Sequence, residues 1–213
     1  MLDAVLFDLD GTLLDSMELI RRSYGHALRV HRGVEPEHES WLEGIGRPLR
    51  WQFARHAQDP AEVEAMIATY RAHNLAHHDA AVSAFPGAIE AVRALAERGL
   101  GLAIVTSKLR SGALRGLARG GFEDLFPVIV AADDVKEHKP DPAPVRAALA
   151  ALGVEASRAV MVGDSPHDLA AGRGAGTRTA AVAWGPFPPE ALRACAPDYW
   201  LEQPAAFARL GLG

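Results

Sequence analysis

The chain opens on the stretch AVLFDLDGTL, residues 4–13, in which four apolar residues run into two carboxylates. A short apolar run bounded by turn residues is typical of a buried parallel-sheet strand, although periodicity alone does not exclude a buried helix. Gly11 favours the strand. Carboxylates one residue apart, here Asp8 and Asp10, repel each other unless a cation or a shared proton offsets their charge. The stretch therefore predicts a strand that opens into a catalytic loop with positive charge nearby.

The loop offers separate roles to its residues. At the end of a strand, Asp8 could present a side-chain oxygen to Mg²⁺ while the backbone carbonyl of Asp10 supplies a second ligand. The Asp10 carboxylate would then be free for proton transfer. Gly11 would allow a backbone conformation closed to other residues, and Thr12 could hold the loop by hydrogen bonds. The alternative is a strand followed by an ordinary turn, where Asp and Gly are common.

Residues 8–13, DLDGTL, resemble the first motif of the haloacid dehalogenase (HAD) superfamily, whose members are mostly Mg²⁺-dependent phosphotransferases. The resemblance implies that Asp8 is the nucleophile that becomes phosphorylated. It also implies that Asp10 is the general acid and base and that Gly11 and Thr12, which follow it in the motif, contact the substrate.

Bulk composition excludes several classes of protein. A chain of 213 residues that is 49% apolar can bury a sizeable core, as one domain or as one domain with an insert. A net charge of −5 without a Lys/Arg cluster argues against a nucleic-acid or membrane-surface partner. With Cys195 as its one cysteine, no signal peptide and no long apolar stretch, the chain is expected to be cytoplasmic, as a monomer or homodimer.

The first third of the chain after the loop is predicted to be helical. No strand pattern interrupts this region, and proline lies near most of the helix starts. The predicted helices are 17–30, 36–42, 48–56 and 60–78. In the HAD superfamily, an all-helical insertion at this point is the cap called C1, which closes over the active site. We therefore expect a cap domain at 16–82 and a core domain made of 1–15 and 83–213.

The remainder alternates strands with helices, which predicts an α/β fold with a parallel sheet covered on both faces. Ligands bind such sheets at the carboxyl ends of the strands. The resemblance specifies a HAD-like Rossmannoid core that carries an inserted α-helical cap. The predicted later strands are 102–105, 128–130, 159–162 and 179–182.

The second strand ends at Thr106-Ser107. A hydroxyl at a strand end, followed by turn N–H groups, suits a phosphate oxygen. This resembles the second HAD motif and implies that Thr106, with Ser107 beside it, binds phosphate. Strands often end in Thr or Ser for structural reasons alone, which is the alternative.

A lysine in a proline-stiffened turn is the third candidate. Lys139 precedes Pro140, and the pair resembles the third HAD motif, which implies that Lys139 neutralises Asp8 and the transferring phosphoryl group. Lys136 and Lys108 are alternatives for this role, and Lys139 could instead be an ordinary exposed lysine.

The fourth predicted strand ends in Gly163-Asp164, and Asp168 follows on the same loop. Two carboxylates on one loop suit a hard cation. The resemblance to the fourth HAD motif implies that Asp164 is a direct Mg²⁺ ligand and that Asp168 partners the metal's water shell or Lys139. A capping role at a helix N-terminus is the alternative for Asp168.

All four motifs occur in the family's order, each at a predicted strand end. Asp10 favours phosphate chemistry over dehalogenation, and the absence of lysine from 16–82 excludes a phosphonatase with a cap Schiff base. We expect a Mg²⁺-dependent phosphatase in which Asp8 attacks a small phosphate monoester and forms an aspartyl phosphate. Asp10 then protonates the leaving group and activates the hydrolytic water.

The cap is expected to choose the substrate. Arg47, in a loop that resembles the specificity loop of C1-capped relatives, could hold a second anionic group, or it could simply be solvated at a helix start. The chain looks most like phosphoglycolate phosphatases, with His167 placed to touch the substrate. Inorganic pyrophosphate hydrolysis, β-phosphoglucomutase-like transfer and a regulatory, non-enzymatic scaffold remain alternatives.

Three histidines, His73, His77 and His78, lie close together near the end of the last predicted cap helix. They suggest zinc, but no cysteine or carboxylate set completes a site of known geometry. A solvated helix face is the preferred interpretation.

Overall fold

The computed structural model describes residues 1–36 and 38–211. The strands are β1 (Ala4–Phe7), β2 (Leu14–Asp15), β3 (Ser83–Ala84), β4 (Gly101–Val105), β5 (Val128–Val130), β6 (Ala159–Gly163), β7 (Arg178–Val182) and β8 (Tyr199–Leu201). The α-helices are α1 (Met17–Arg32), α2 (His38–Gly44), α3 (Leu49–Ala54), α4 (Pro60–Ala81), α5 (Ala88–Glu97), α6 (Arg110–Gly120), α7 (Ala143–Leu152), α8 (Pro166–Ala175) and α9 (Pro189–Ala194). Short 3₁₀ helices cover Ala156–Arg158 and Pro204–Arg209.

A six-stranded sheet runs in the order β5-β4-β1-β6-β7-β8, with every neighbouring pair parallel. The α/β fold with a parallel sheet is therefore confirmed. Strand β1 lies between β4 and β6, and its last residue, Phe7, pairs with Ile104 and Val162. Since the three strands end side by side, the loops that follow them meet at one edge of the sheet.

Both faces of the sheet are buried, as parallel sheets require. Along β1, Val5 and Phe7 pack into one apolar core, while Ala4 and Leu6 pack into a second core on the opposite face. Phe7 makes an edge-to-face contact with Phe207 at 5.0 Å between ring centroids. This double burial holds the β1 loop, which carries Asp8 and Asp10, on a rigid support.

Helices α1 to α4, which lie between β2 and β3 in the sequence, form a separate apolar core in which Tyr24, Phe53 and Met66 are buried. No strand lies within the described part of residues 16–82. Strands β2 and β3 pair antiparallel, Leu14 with Ala84 and Asp15 with Ser83, so the chain enters and leaves this helical segment side by side. The domain boundaries at 15/16 and 82/83 stay a prediction.

Predicted and observed helices differ at their ends. The predicted helix 36–42 includes residue 37, which lies outside the described residues, and the observed helix α2 ends two residues later, at Gly44. Among the helices described, none combines the length and the apolar character needed to cross a bilayer.

Candidate active site

A buried lysine joins two of the carboxylates at the sheet edge. Lys139 Nζ donates to Asp8 Oδ1 at 2.7 Å, to Asp168 Oδ1 at 2.6 Å and to the Val105 carbonyl at 3.0 Å. Its three donors thus all have acceptors. Asp8 Oδ2 accepts no hydrogen bond from the residues described, so this oxygen is left to face the cleft that Asp8 lines.

The electrostatics of this cluster are strongly perturbed. Burial, together with the charge on Asp168, raises the pKa of Asp8 to about 7, although Lys139 opposes the rise. Burial disfavours the ammonium of Lys139, but the charges on Asp168 and Asp8 outweigh it and raise the lysine pKa. Lys139 therefore stays charged, and it alone does not neutralise the acidic groups around it.

Asp168 also caps the helix that follows it. Its Oδ2 accepts from Ser165 Oγ at 2.6 Å and from Ser165 N at 3.1 Å, while the Ser165 hydroxyl accepts from the Asp168 N–H. This reciprocal arrangement is a capping box at the start of α8. Both oxygens of Asp168 are therefore engaged, one by Lys139 and one by the cap.

Asp164 is closely surrounded by two glycines. A side chain at Gly11, whose φ is 84°, or at Gly185 would collide with it, because an added Cβ would lie 2.3 Å from Asp164 Oδ2 or 2.4 Å from Asp164 Cβ. Thr12 Oγ1 donates to Oδ1 at 3.4 Å, whereas Oδ2 is buried without a partner. Burial and the charges on Asp168 and Asp8 raise the pKa of Asp164 well above its usual range.

These carboxylates fit a metal ion. One oxygen each from Asp8, Asp164 and Asp168 lies within 4.8 Å of the other two. Buried, like-charged oxygens with an unpartnered lone pair need a positive charge, and oxygen-rich sets of this kind suit Mg²⁺. Asp164 Oδ2 is the buried oxygen of this set that has no hydrogen-bond partner, whereas the oxygens that accept a single hydrogen bond each keep a second lone pair for a cation.

Asp10 lies beside the cluster with different partners. Its Oδ1 accepts from Ser16 Oγ at 2.7 Å and from Lys108 Nζ at 2.8 Å. Burial raises the pKa of Asp10, but the Lys108 charge and the hydrogen bonds from Lys108 and Ser16 lower it by more, so the net pKa lies below its usual range. The pKa values of these two neighbouring carboxyls are thus shifted in opposite directions, because Asp8 lies among other carboxylates and Asp10 is paired with Lys108.

The carboxylates lie at the floor of a cleft of about 780 Å³ between the helical segment and the sheet edge. Ser107 Oγ donates to the Gly46 carbonyl at 2.7 Å, which ties the loop between α2 and α3 to the loop after β4. Gly46 also lies against the His167 ring. These contacts hold the helical segment over the floor.

Positive charge lines the cleft walls. The Arg47 guanidinium stacks over Trp51 at 4.4 Å, and its buried Nε has no hydrogen-bond partner. Neither Arg47 nor Arg71, which lines the same cleft from α4, pairs with a carboxylate in the described part of the chain. Unpaired guanidinium groups in the same cleft as these carboxylates suit an anionic ligand.

Residues 5–182 match the haloacid dehalogenase-like hydrolase family. The chain belongs to this family. Pyrophosphatase PpaX from Halalkalibacterium halodurans and from Bacillus velezensis are each 44% identical to it over 200 residues, which are 94% of this chain and 92% of each relative. The structure of CbbY from Rhodobacter sphaeroides in complex with phosphate is 26% identical, with a TM-score of 0.82 and coverage of 99% of this chain and 97% of that one.

In this HAD-like hydrolase, the four motifs predicted from sequence meet at one edge of the sheet. Asp8, Asp10, Thr106 and Asp164 line the cleft, and Lys139 lies directly behind Asp8. Thr106 Oγ1 accepts from the Lys108 N–H at 3.2 Å. The geometry selects Lys139 over Lys108 as the partner of Asp8, because Lys108 binds Asp10 instead. The catalytic and metal-binding roles of these residues stay predictions.

Several predicted substrate contacts are not in the cleft. Gly11, Thr12 and His167 are not among the described residues that line it, because Gly11 and Thr12 pack on Asp164 and His167 packs on Gly46. Burial and the Arg47 charge lower the pKa of His167. Ser107 lines the cleft, but its hydroxyl is engaged by Gly46.

Ser16 and Lys108 both donate to Asp10 Oδ1, and the expectation that the Asp10 carboxylate is available for proton transfer stays a prediction. One further expectation needs correction. The preferred solvated face is wrong for His78, which is only 2% exposed and lines the cleft. Ser16 and Lys108 were missed as Asp10 partners, because only tertiary structure brings them there. For His78, the spacing Tyr70, Asn74, His78 on one face of α4 was the available signal.

Proposed function

We propose that this hydrolase cleaves inorganic pyrophosphate into two orthophosphate ions. The proposal is supported by the 44% identity of this chain, over 94% of its length, to proteins named pyrophosphatase PpaX. The cleft agrees with this substrate, because Arg47 and Arg71, which line it, supply positive charge for a second phosphate. Pyrophosphate therefore replaces phosphoglycolate, which the sequence favoured, as the proposed substrate.

Asp8 is the proposed nucleophile. Its Oδ2 attacks one phosphorus atom of pyrophosphate, the P–O–P bond breaks, and an aspartyl phosphate forms as orthophosphate leaves. Lys139 holds the other oxygen, Oδ1, and so fixes the carboxylate in one orientation. The hydroxyl of Thr106, at the same edge of the cleft, is placed to donate to the transferring phosphoryl group.

Asp10 is the proposed acid and base. The approach of a multiply charged anion disfavours the Asp10 carboxylate, so substrate binding raises its pKa and promotes uptake of the proton that the leaving phosphate takes. Asp10, ionised again, then accepts a proton from the water that hydrolyses the aspartyl phosphate. Lys108, which pairs with Asp10, favours this ionised state.

Mg²⁺ is the proposed cofactor, held by Asp8 and Asp164. The fit rests on Asp164, since its buried Oδ2 has no partner and its pKa is raised by burial and by the charges on Asp168 and Asp8. When bound, Mg²⁺ would supply the positive charge that offsets the carboxylates and the phosphoryl oxygens.

The test is steady-state hydrolysis of a substrate panel, with Mg²⁺ and with EDTA. The panel contains pyrophosphate, phosphoglycolate, sugar phosphates, nucleotides and p-nitrophenyl phosphate. We expect the highest kcat/KM for pyrophosphate, no turnover in EDTA, and a loss of at least about 10³-fold in Asp8→Asn, the scale seen when a nucleophile is removed. A higher kcat/KM for phosphoglycolate would reject pyrophosphate as the substrate, and turnover in Asp8→Asn would reject the mechanism.

A further inference from the structure

Three buried side-chain atoms beside the cleft have no hydrogen-bond partner: Asp164 Oδ2, Arg47 Nε and His78 Nε2. A buried polar atom without a partner carries a free-energy cost, so each such atom requires an explanation. A cation explains the first, and an anionic group explains the second. The proposed mechanism gives no role to His78.

His78 belongs to the cleft face of α4. Tyr70, Asn74 and His78 recur every four residues along this helix, and all three line the cleft. His78 and Asp10 line the same cleft and are linked through α6. Lys108, which pairs with Asp10, lies against Gly112 of this helix. Arg115, three residues further along, binds Asp79 beside His78. Because Asp10 protonates the leaving group in the proposed mechanism, His78 lies on the leaving-group side.

A second carboxylate fixes the state of the His78 ring. His78 Nδ1 lies 3.0 Å from Asp79 Oδ1. Asp79 also accepts from Arg115 Nε at 2.8 Å and from an Arg115 terminal nitrogen at 2.7 Å, and these hydrogen bonds hold the pKa of Asp79 well below its usual range. An ionised Asp79 can only accept, so Nδ1 carries the proton.

Nε2 is therefore the ring atom that is free to interact with a ligand. With Nδ1 protonated, Nε2 accepts a hydrogen bond in the neutral ring and donates one in the charged ring. A phosphate anion that approaches Nε2 favours the charged ring, because opposite charges stabilise each other. An anionic oxygen thus matches both the position and the chemistry of this atom.

We propose that His78 determines specificity for pyrophosphate, with Nε2–H donating a hydrogen bond to the phosphate that leaves. This inference rests on the proposed pyrophosphatase activity. It predicts that His78 contributes to binding of a substrate with two phosphates and contributes little when the leaving group carries no phosphate.

The test compares His78→Ala, His78→Gln and His78→Asn with pyrophosphate and with p-nitrophenyl phosphate. The amide nitrogen of Gln reaches the position of Nε2, whereas that of Asn reaches only the position of Nδ1. A hydrogen bond to a charged group contributes roughly 10- to 100-fold in affinity. We therefore expect His78→Ala and His78→Asn to raise KM for pyrophosphate by about that factor, and His78→Gln to recover most of the loss.

The p-nitrophenyl phosphate reaction is the internal control. Its kcat/KM is expected to stay within about 2-fold of the wild-type value in all three variants, because its leaving group has no phosphate for Nε2 to bind. An equal loss with both substrates, or rescue by Asn rather than Gln, would overturn the assignment of His78. If the wild-type protein cleaves p-nitrophenyl phosphate but not pyrophosphate, the proposed function itself is rejected, and the assignment with it.

Discussion

At the scale of single residues, the candidate site holds more negative charge than its own lysines neutralise. One carboxylate oxygen each from Asp8, Asp164 and Asp168 lies within 4.8 Å of the other two. Among the described residues, Lys139 is the cation that contacts Asp8 and Asp168. The raised pKa values of Asp8 and Asp164 record the free-energy cost of ionising both. Such a cost is tolerated where a bound cation offsets it during function.

Asp164→Asn should raise the stability of the metal-free protein and abolish its Mg²⁺-dependent activity. Because the folded-state pKa of Asp164 lies above its unfolded value, the folded protein binds more protons between the two values, and stability falls as pH rises through that window. Removing this ionisation should raise the free energy of unfolding in EDTA by about 0.5–2 kcal/mol at neutral pH. The same variant should lose Mg²⁺-dependent activity.

Urea unfolding in EDTA and in Mg²⁺ measures this effect. The exposed Asp124→Asn is the matched control and should change stability in neither condition. An Asp164→Asn protein that is less stable in EDTA, yet still stabilised by Mg²⁺, would contradict the prediction.

The affinity for Mg²⁺ should depend on pH near neutrality. Asp8 has a pKa of about 7 in the protein without a cation, so protons compete with the metal below that value and cease to compete above it. The apparent Kd should rise by up to about tenfold per pH unit below 7, as for loss of one proton. Calorimetric titration at about pH 6 and about pH 8 measures the change, and equal affinities at the two pH values would refute it.

At the scale of elements, long apolar patterns were predictable from sequence and short or tertiary features were not. The sequence predicted β1, β4, β5, β6 and β7, because each is an apolar run bounded by polar or turn residues. It missed β2 and β3, since two residues each carry no periodicity, and it missed β8, although that apolar run of three residues is as long as β5. Motif residues at strand ends were predictable for the same reason, whereas Lys108 and His78 reach the site only through packing.

Helix α6 packs unusually close to β2. An added Cβ at Gly116 would lie 2.8 Å from Leu14 Cδ1, and Leu14 is fully buried. At Gly112, in the same helix, the nearest atoms belong to the flexible Lys108 side chain at 3.2 Å. The two glycines therefore differ in what a methyl group would meet.

Gly116→Ala and Gly112→Ala should change stability in opposite directions. Alanine favours a helix over glycine by about 0.5–1 kcal/mol, which Gly112→Ala should gain in large part. At Gly116, overpacking against Leu14 should outweigh this gain and destabilise the protein by about 1–3 kcal/mol. Urea unfolding gives both values, and stabilisation by Gly116→Ala would show that β2 and α6 separate readily.

At the scale of the whole molecule, the net negative charge of the chain contrasts with the basic side chains on the walls of the cleft. The chain carries a net charge of −5, yet Arg47, Arg71 and Lys108 line the cleft. A substrate anion is repelled by the molecule as a whole and attracted by the cleft. Which of the two effects controls association depends on how strongly the cleft concentrates its field.

The ionic-strength dependence of kcat/KM for pyrophosphate distinguishes these effects. If the cleft dominates, as we expect, added NaCl at constant free Mg²⁺ should lower kcat/KM, because salt screens the attraction. If the net charge dominated, the same salt would screen repulsion and raise kcat/KM. Arg71→Gln should reduce the salt dependence, and Arg146→Gln, at an exposed residue of α7 that does not line the cleft, should leave it unchanged.

The paired strands β2 and β3 have a further consequence. Because Leu14 and Ala84 are paired neighbours in the β2–β3 ladder, everything between them is inserted at a single point of the chain's path. A segment whose two ends meet can be exchanged for another of different length without moving the sheet or the four loops at its edge. Substrate selectivity can therefore change without a change in the sheet. Grafting the helical segment of one relative onto the sheet of another should transfer selectivity while the residues of the phosphate chemistry stay in place.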